Sequence, residues 1–239
     1  KNFDKKYEFY YWFRVKKETQ IIIKKKGYED GIKFISKKFN KIENPNLRMI
    51  FDIANFYKNS KKYEKSIKYY SQIISSLSED SEIKADLLYR RGGSYERLGN
   101  YVKADKDLLN SLKINSEEAY VLNYLAYSWL ERDYKINEAM EMLKTAYELK
   151  SNDPYIIDSI GWAYFLIKDY LKAEKYLKRA VELMPDDPIV NDHYGDILWK
   201  LDRKIQARYF WKNVLSFDDT EDDMRKKINI KIVEGLKNS

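Results

Sequence analysis

Apolar and polar residues between Asp153 and Pro188 follow a helical period twice over. In the first half Ile157, Ile160, Gly161 and Tyr164 recur at i, i+3, i+4 and i+7, the spacing of one buried helix face. In the second half Tyr170, Ala173, Leu177 and Ala180 form a second face. The polar pair Lys168-Asp169 separates the two as a turn, and Pro185 ends the second helix because proline cannot sit in a helix interior. Gly161 and Ala173 supply a small residue on each helix where the two cross. The stretch opens on Asp153-Pro154 and closes on Asp187-Pro188, so it reads as one turn of a repeating unit. Such a hairpin cannot bury its apolar face alone and must stack on neighbours of the same kind.

The neighbours are present. The first small residue recurs as Ala54, Gly92, Ala126, Gly161 and Gly195, at separations of 38, 34, 35 and 34. The second recurs as Ser66, Ala104, Ala139, Ala173 and Ala207. Three places after the first marker come Tyr57, Tyr95, Trp129, Tyr164 and Leu198. A period near 34 with these markers resembles the tetratricopeptide repeat. A further small position is met by Ser111, Ala146 and Ala180, while Ile73 and Val214 depart from it.

The resemblance implies an all-α, right-handed α-solenoid of about six helix hairpins plus a C-terminal capping helix. The approximate repeats are 5–43, 47–80, 85–118, 119–153, 154–187 and 188–221, with the cap at 222–237, and residues 1–239 are expected to form one array. Four extra residues near Ser78–Ser81 account for the 38-residue step. The first unit is poorly formed, with Thr19 opposite Gly31. Phe9-Tyr10-Tyr11-Trp12-Phe13 is too apolar for an open start and is expected to pack on a preceding repeat or to serve as a cap. The chain begins on Lys1 without a methionine, so it is read as a piece of a longer protein.

Composition removes several chemistries. There is no cysteine, which excludes thiolate metal sites and cysteine nucleophiles. His193 is the single histidine, and no serine lies in a nucleophile-elbow pattern, so no enzyme, no metal and no cofactor is expected. A helix-face histidine such as His193 is read as structural in the first place, with a functional hydrogen-bonder as the alternative. No apolar run approaches the roughly 20 residues of a membrane span. Residues 1–80 carry 19 Lys and Arg against 10 Asp and Glu, but the lysines are spread over helix surfaces rather than clustered. The stretch from 119 to 199 is acidic and aromatic, which repels phosphate and argues against nucleic acid as a partner.

What is left is a groove. In the geometry that the resemblance implies, the first helices line a concave side, placing Tyr120, Asn123, Tyr127, Tyr155, Asp158, Trp162, Phe165, Ile189, Asp192, Asp196 and Trp199 there. Aromatic anchors beside fixed polar groups suit an extended or helical peptide. The competing reading is that Trp162 and Trp199 only pack between helices. The two-carboxylate clamp of some family members is not reproduced: Lys16, Gln20 and Asn55 match loosely, but Phe51 and Tyr89 stand where asparagine is needed.

Leu122–Trp129, Asp158–Tyr164 and Asn191–Trp199, with Tyr89–Gly99 upstream, also resemble the end of long tetratricopeptide proteins of Gram-negative bacteria, of the alphaproteobacterial type. That resemblance implies a non-catalytic scaffold or adaptor in the periplasm or at the outer membrane. Its partner would be a protein or peptide, a processing protease or an envelope protein among them. The alternatives are a nucleic-acid-binding helical repeat, a regulatory subunit of an enzyme complex, and a cytoplasmic location.

Overall fold

The computed structural model describes residues 2–218 and 220–236, with side chains from residue 7 onward. Thirteen α-helices and no strand occur among the described residues, so the fold is all-α. The expected cap ends at residue 237, and the expected last repeat, 188–221, includes residue 219; both of those positions lie outside the described residues. The chain falls into two compact units, Lys1–Ser116 and Glu117–Ser239.

The first unit pairs α1 (Asn2–Lys26) with α2 (Tyr28–Phe39), α3 (Leu47–Asn59) with α4 (Tyr63–Ile74), and α5 (Glu82–Arg97) with α6 (Tyr101–Ile114). Its core gathers Val15, Ile35, Ile53, Tyr70 and Leu87. The aromatic run of α1 is divided. Trp12 is buried and donates through Nε1 to Asp52 at 2.9 Å, whereas Phe9, Tyr10 and Phe13 are about half exposed. Lys16 is ion-paired to the same Asp52 at 2.8 Å, and Asn55 accepts from the Tyr70 hydroxyl at 2.6 Å.

The second unit pairs α7 (Ala119–Glu131) with α8 (Ile136–Leu149), α9 (Pro154–Leu166) with α10 (Tyr170–Leu183), and α11 (Pro188–Lys200) with α12 (Lys204–Ser216). A single helix, α13 (Asp222–Glu234), packs on α12. Its Ile228 is fully buried, and Met224, Ile232 and Leu236 join the same core as Leu177, Ile197 and Trp211.

Helix starts follow from sequence. Asp153 and Asp187 each accept two backbone N–H groups from the first turn, and Pro154 and Pro188 occupy the first helical position, where no N–H is needed. Helix ends are equally regular. Lys61, Gly99, Asp133, Lys168 and Asp202 all take positive φ, with the same 38, 34, 35 and 34 steps as the small-residue markers. The next residue in each case returns its N–H to the carbonyl of Tyr57, Tyr95, Trp129, Tyr164 or Leu198, at 2.9–3.0 Å. This is the Schellman closure, in which a left-handed residue lets the chain reverse and satisfies an orphan carbonyl.

The small residues permit close helix crossings, but the space they leave is filled by a neighbour one turn beyond the expected partner. A Cβ on Gly161 would come within 2.8 Å of Leu177, four residues after Ala173. On Gly31 it would meet Ile23, four residues after Thr19, at 2.3 Å, and on Gly195 it would meet Trp211 Nε1 at 2.4 Å. Side chains on a helix lean toward its N-terminus. The bulky residue following the small one in the next turn therefore reaches back over the crossing.

Candidate partner-binding surface

The first helices of the second unit, α7, α9 and α11, bring five of the expected groove residues to one cleft. Asn123, Tyr127, Tyr155, Asp158 and Ile189 line it together with Tyr124, Ser159, Asp187 and Val190, around about 140 Å³. A dry cavity of about 150 Å³ accommodates a benzene-sized group, so the cleft suits one side chain. Tyr155 and Ile189 stand exposed at its rim. Asn123 Oδ1 is enclosed and has no hydrogen-bond partner, an arrangement that is costly unless a donor arrives from outside.

Beside the cleft lies a connected group of charged and aromatic residues. His193 Nδ1 donates to Asp158, at 3.1 Å and 2.9 Å from the two carboxylate oxygens, and both residues are buried. Burial alone would lower the imidazole pKa; the Asp158 charge and hydrogen bond, with Asp192 and Asp196 beyond, raise it instead. Trp162 stacks on the His193 ring at 4.1 Å and on Phe165 at 4.7 Å, and its Nε1 donates to Glu131 at 3.2 Å. Tyr127 has its hydroxyl pKa raised by burial, with Glu131 and Asp158 adding to it.

The remaining expected residues sit differently. Tyr120 is at the start of α7, its hydroxyl donating to Asp153 at 3.1 Å and its ring under Lys150 Nζ at 4.2 Å. Asp192 and Asp196 share Lys231 of α13, and Asp196 also accepts from Trp211 Nε1 at 2.9 Å. Trp199 lies between Arg208, 4.8 Å from its ring, Trp211 and Gly235. Asp158 and Asp196 are therefore enclosed by partners from their own chain, and both tryptophans make packing contacts across neighbouring helices.

Sequence reasoning missed Glu131, Ser159, Lys231 and Gly235. The first two had a readable signal, since each lies one turn or less from an assigned groove position. Lys231 had none, because its partners are 35 and 39 residues away and no repeat marker reaches α13.

A family model for the tetratricopeptide repeat matches residues 47–76, 85–118 and 156–187. The chain contains tetratricopeptide repeats. A TPR repeat-containing protein of Pseudomonas aeruginosa is 26% identical over 161 residues, 67% of this chain. A protein of Haemophilus influenzae named as a lipoprotein NlpI homolog is 31% identical over 106 residues, 44% of this chain. The chain spans only 27% and 33% of these two relatives' own lengths.

Among solved structures, a tetratricopeptide repeat protein of Parabacteroides merdae matches with a TM-score of 0.68 at 15% identity, covering 92% of this chain and 86% of that one. A thermophilic TPR protein of Thermus thermophilus matches at 0.64 and 16% identity, covering 77% and 97%. These likenesses establish the fold, an α-solenoid of helix hairpins. TPR repeats generally serve as protein-interaction scaffolds. No described helix is long and apolar enough to cross a membrane.

Proposed function

We propose that the second unit is a peptide-binding module whose cleft between α7, α9 and α11 takes one side chain of a partner segment. The observation that carries this is the enclosed, unpaired Asn123 Oδ1 at a tyrosine-lined cleft. Turning of the Asn123 amide toward the cleft lets a backbone N–H of an extended segment satisfy it, while Tyr155 and Ile189 hold the neighbouring side chain. Tyrosine gives large contact area for little lost rotamer freedom, which suits an anchor position. The protein as a whole acts as a non-catalytic scaffold or adaptor. Its partner is a protein or peptide of the cell envelope, a processing protease or an envelope protein, at the periplasmic or outer-membrane side. Support for the location is the likeness to a relative named as a lipoprotein.

The test is selection of binders from a random peptide library on the full chain, followed by affinity and melting measurements on variants. Tyr155→Ala and Asn123→Ala are expected to weaken the selected peptides by about thirtyfold, the equivalent of about 2 kcal/mol, with the Tyr155→Ala melting temperature unchanged because the ring is largely exposed. Peptides that bind both variants as tightly as the parent would overturn the assignment.

A further inference from the structure

The wall of the groove at its last repeat is already covered by the chain's own final helix. Lys231 Nζ of α13 lies 2.5 Å from Asp192 Oδ1 and 2.8 Å from both carboxylate oxygens of Asp196. Four residues on, Gly235 sits so close to the Trp199 indole that a Cβ would fall 2.0 Å from it. Asp192, Asp196 and Trp199 are all positions that the family resemblance assigns to the groove.

The attachment of α13 is lighter than that of the hairpin helices. Ile228 is its one buried residue within Asp222–Glu234, and Ile230 and Val233 are exposed. Much of the rest is polar. Arg225 donates to the carbonyls of Leu215, Phe217 and Thr220, Arg208 donates to the Ile232 carbonyl, and Lys231 enters the acid pair. Elements with few buried apolar contacts open at lower cost than the unit they belong to. The lysine contact is also exchangeable, because another ammonium in the same place satisfies the same carboxylates. A neutral or acidic segment does not, since it would leave enclosed carboxylates without a counter-charge.

We infer that α13 is an autoinhibitory segment that holds the α11 wall of the groove through Lys231, and that a partner segment bearing a lysine binds there by displacing it. This rests on the peptide-binding reading above and adds to it the chemistry of the partner, a basic side chain beside an apolar face. The segment it must replace has that character: Met224, Ile228 and Ile232 on one side, with Lys231 next to them.

The experiment uses the full chain and two fluorescein-labelled synthetic peptides, one with the sequence of residues 222–236 and one carrying Lys231→Met. On the Lys231→Met protein the lysine peptide is expected to bind about ten- to a hundredfold more tightly than the methionine peptide, the worth of a charge-assisted contact. It should also bind that protein more tightly than the parent, in which the tethered Lys231 competes at high effective concentration. In the parent protein, saturating lysine peptide should accelerate amide hydrogen exchange across residues 222–234. Equal binding of the two peptides, or unchanged exchange in α13, overturns the proposal. If the Lys231→Met protein does not fold, the exchange measurement on the parent decides alone. Library-selected ligands that still depend on Tyr155 while the lysine peptide fails would overturn only the α13 contact. The reverse result would overturn only the cleft.

Discussion

At Gly195 the missing Cβ is what lets the Trp211 indole cross α11 and donate to Asp196. The equivalent α12-side positions in the preceding hairpins, Leu143 and Leu177, are aliphatic and fully buried. Gly161 leaves the same room opposite Leu177, so the glycine permits the Trp211 ring without by itself selecting it. Gly195→Ala is expected to cost about 1–3 kcal/mol through overpacking, because a rigid ring and not a flexible chain end must move. Thermal unfolding followed by circular dichroism checks this, and a variant as stable as the parent would refute the packing account. Trp162 has a different status. It is half-buried and stacked on both His193 and Phe165. Trp162→Ala should lower stability by about 2 kcal/mol from two lost aromatic contacts, read as a fall of roughly 4–8 °C in melting temperature. An unchanged melting temperature with lost partner affinity would instead assign the ring to ligand binding.

Among the helices and turns, the regular feature is the left-handed residue that closes each first helix. Glycine fills it at Gly99, but Lys61, Asp133, Lys168 and Asp202 pay the Cβ penalty there. Lys168→Gly removes a conformational cost of about 1 kcal/mol, partly offset by the greater freedom glycine gives the unfolded chain. A rise of a degree or two in melting temperature is expected, and a fall would show that the Lys168 side chain contributes more than its backbone costs. This turn was only partly legible in the sequence. Lys168-Asp169 marks the break by polarity, and Asp169 caps α10 by accepting from the Lys172 N–H at 3.3 Å. That Lys168 adopts φ 66° does not follow from its identity, since it is set by the local Schellman bonds in which the Lys168 and Asp169 N–H groups donate to the Phe165 and Tyr164 carbonyls.

Taken over the second unit as a whole, buried ionisable groups give a pH dependence whose sign can be worked out. His193 has its pKa raised above the ordinary 6.5 because Asp158, Asp192 and Asp196 outweigh its burial. The folded chain then keeps a proton that the unfolded chain releases, so this stabilisation is complete below about 6.5 and is lost as pH rises through the folded value. Asp196 is pushed up to about 7 by burial and by Asp192, against the pull of Lys231. Its sign is the same: the contribution is present below its ordinary 3.8 and is lost by about 7. Melting followed by tryptophan fluorescence, which reports Trp129, Trp162, Trp199 and Trp211 of this unit, should therefore show His193→Gln losing the parent's decline in stability above pH 6.5. An identical pH profile for parent and variant would sink the account of the His193–Asp158 pair.

The sequence by itself determined what repeats. Small residues at Ala54, Gly92, Ala126, Gly161 and Gly195, prolines after Asp153 and Asp187, and apolar positions three and four apart act within one or two helical turns. Their consequences are the same wherever the pattern recurs, so helix existence and hairpin pairing could be read from spacing, while the family resemblance named only five of the nine residues that line the Tyr155 cleft. Tertiary structure decided what occurs once. Asp158 meets His193 across 35 residues, Trp162 reaches Glu131 across 31, and Lys231 enters the acid pair of α11 from a helix outside the repeat. Each depends on how far one side chain extends over the neighbouring helix and on which charge it finds there. A periodic pattern carries neither quantity, because it specifies faces and not the distances between unlike groups that share them.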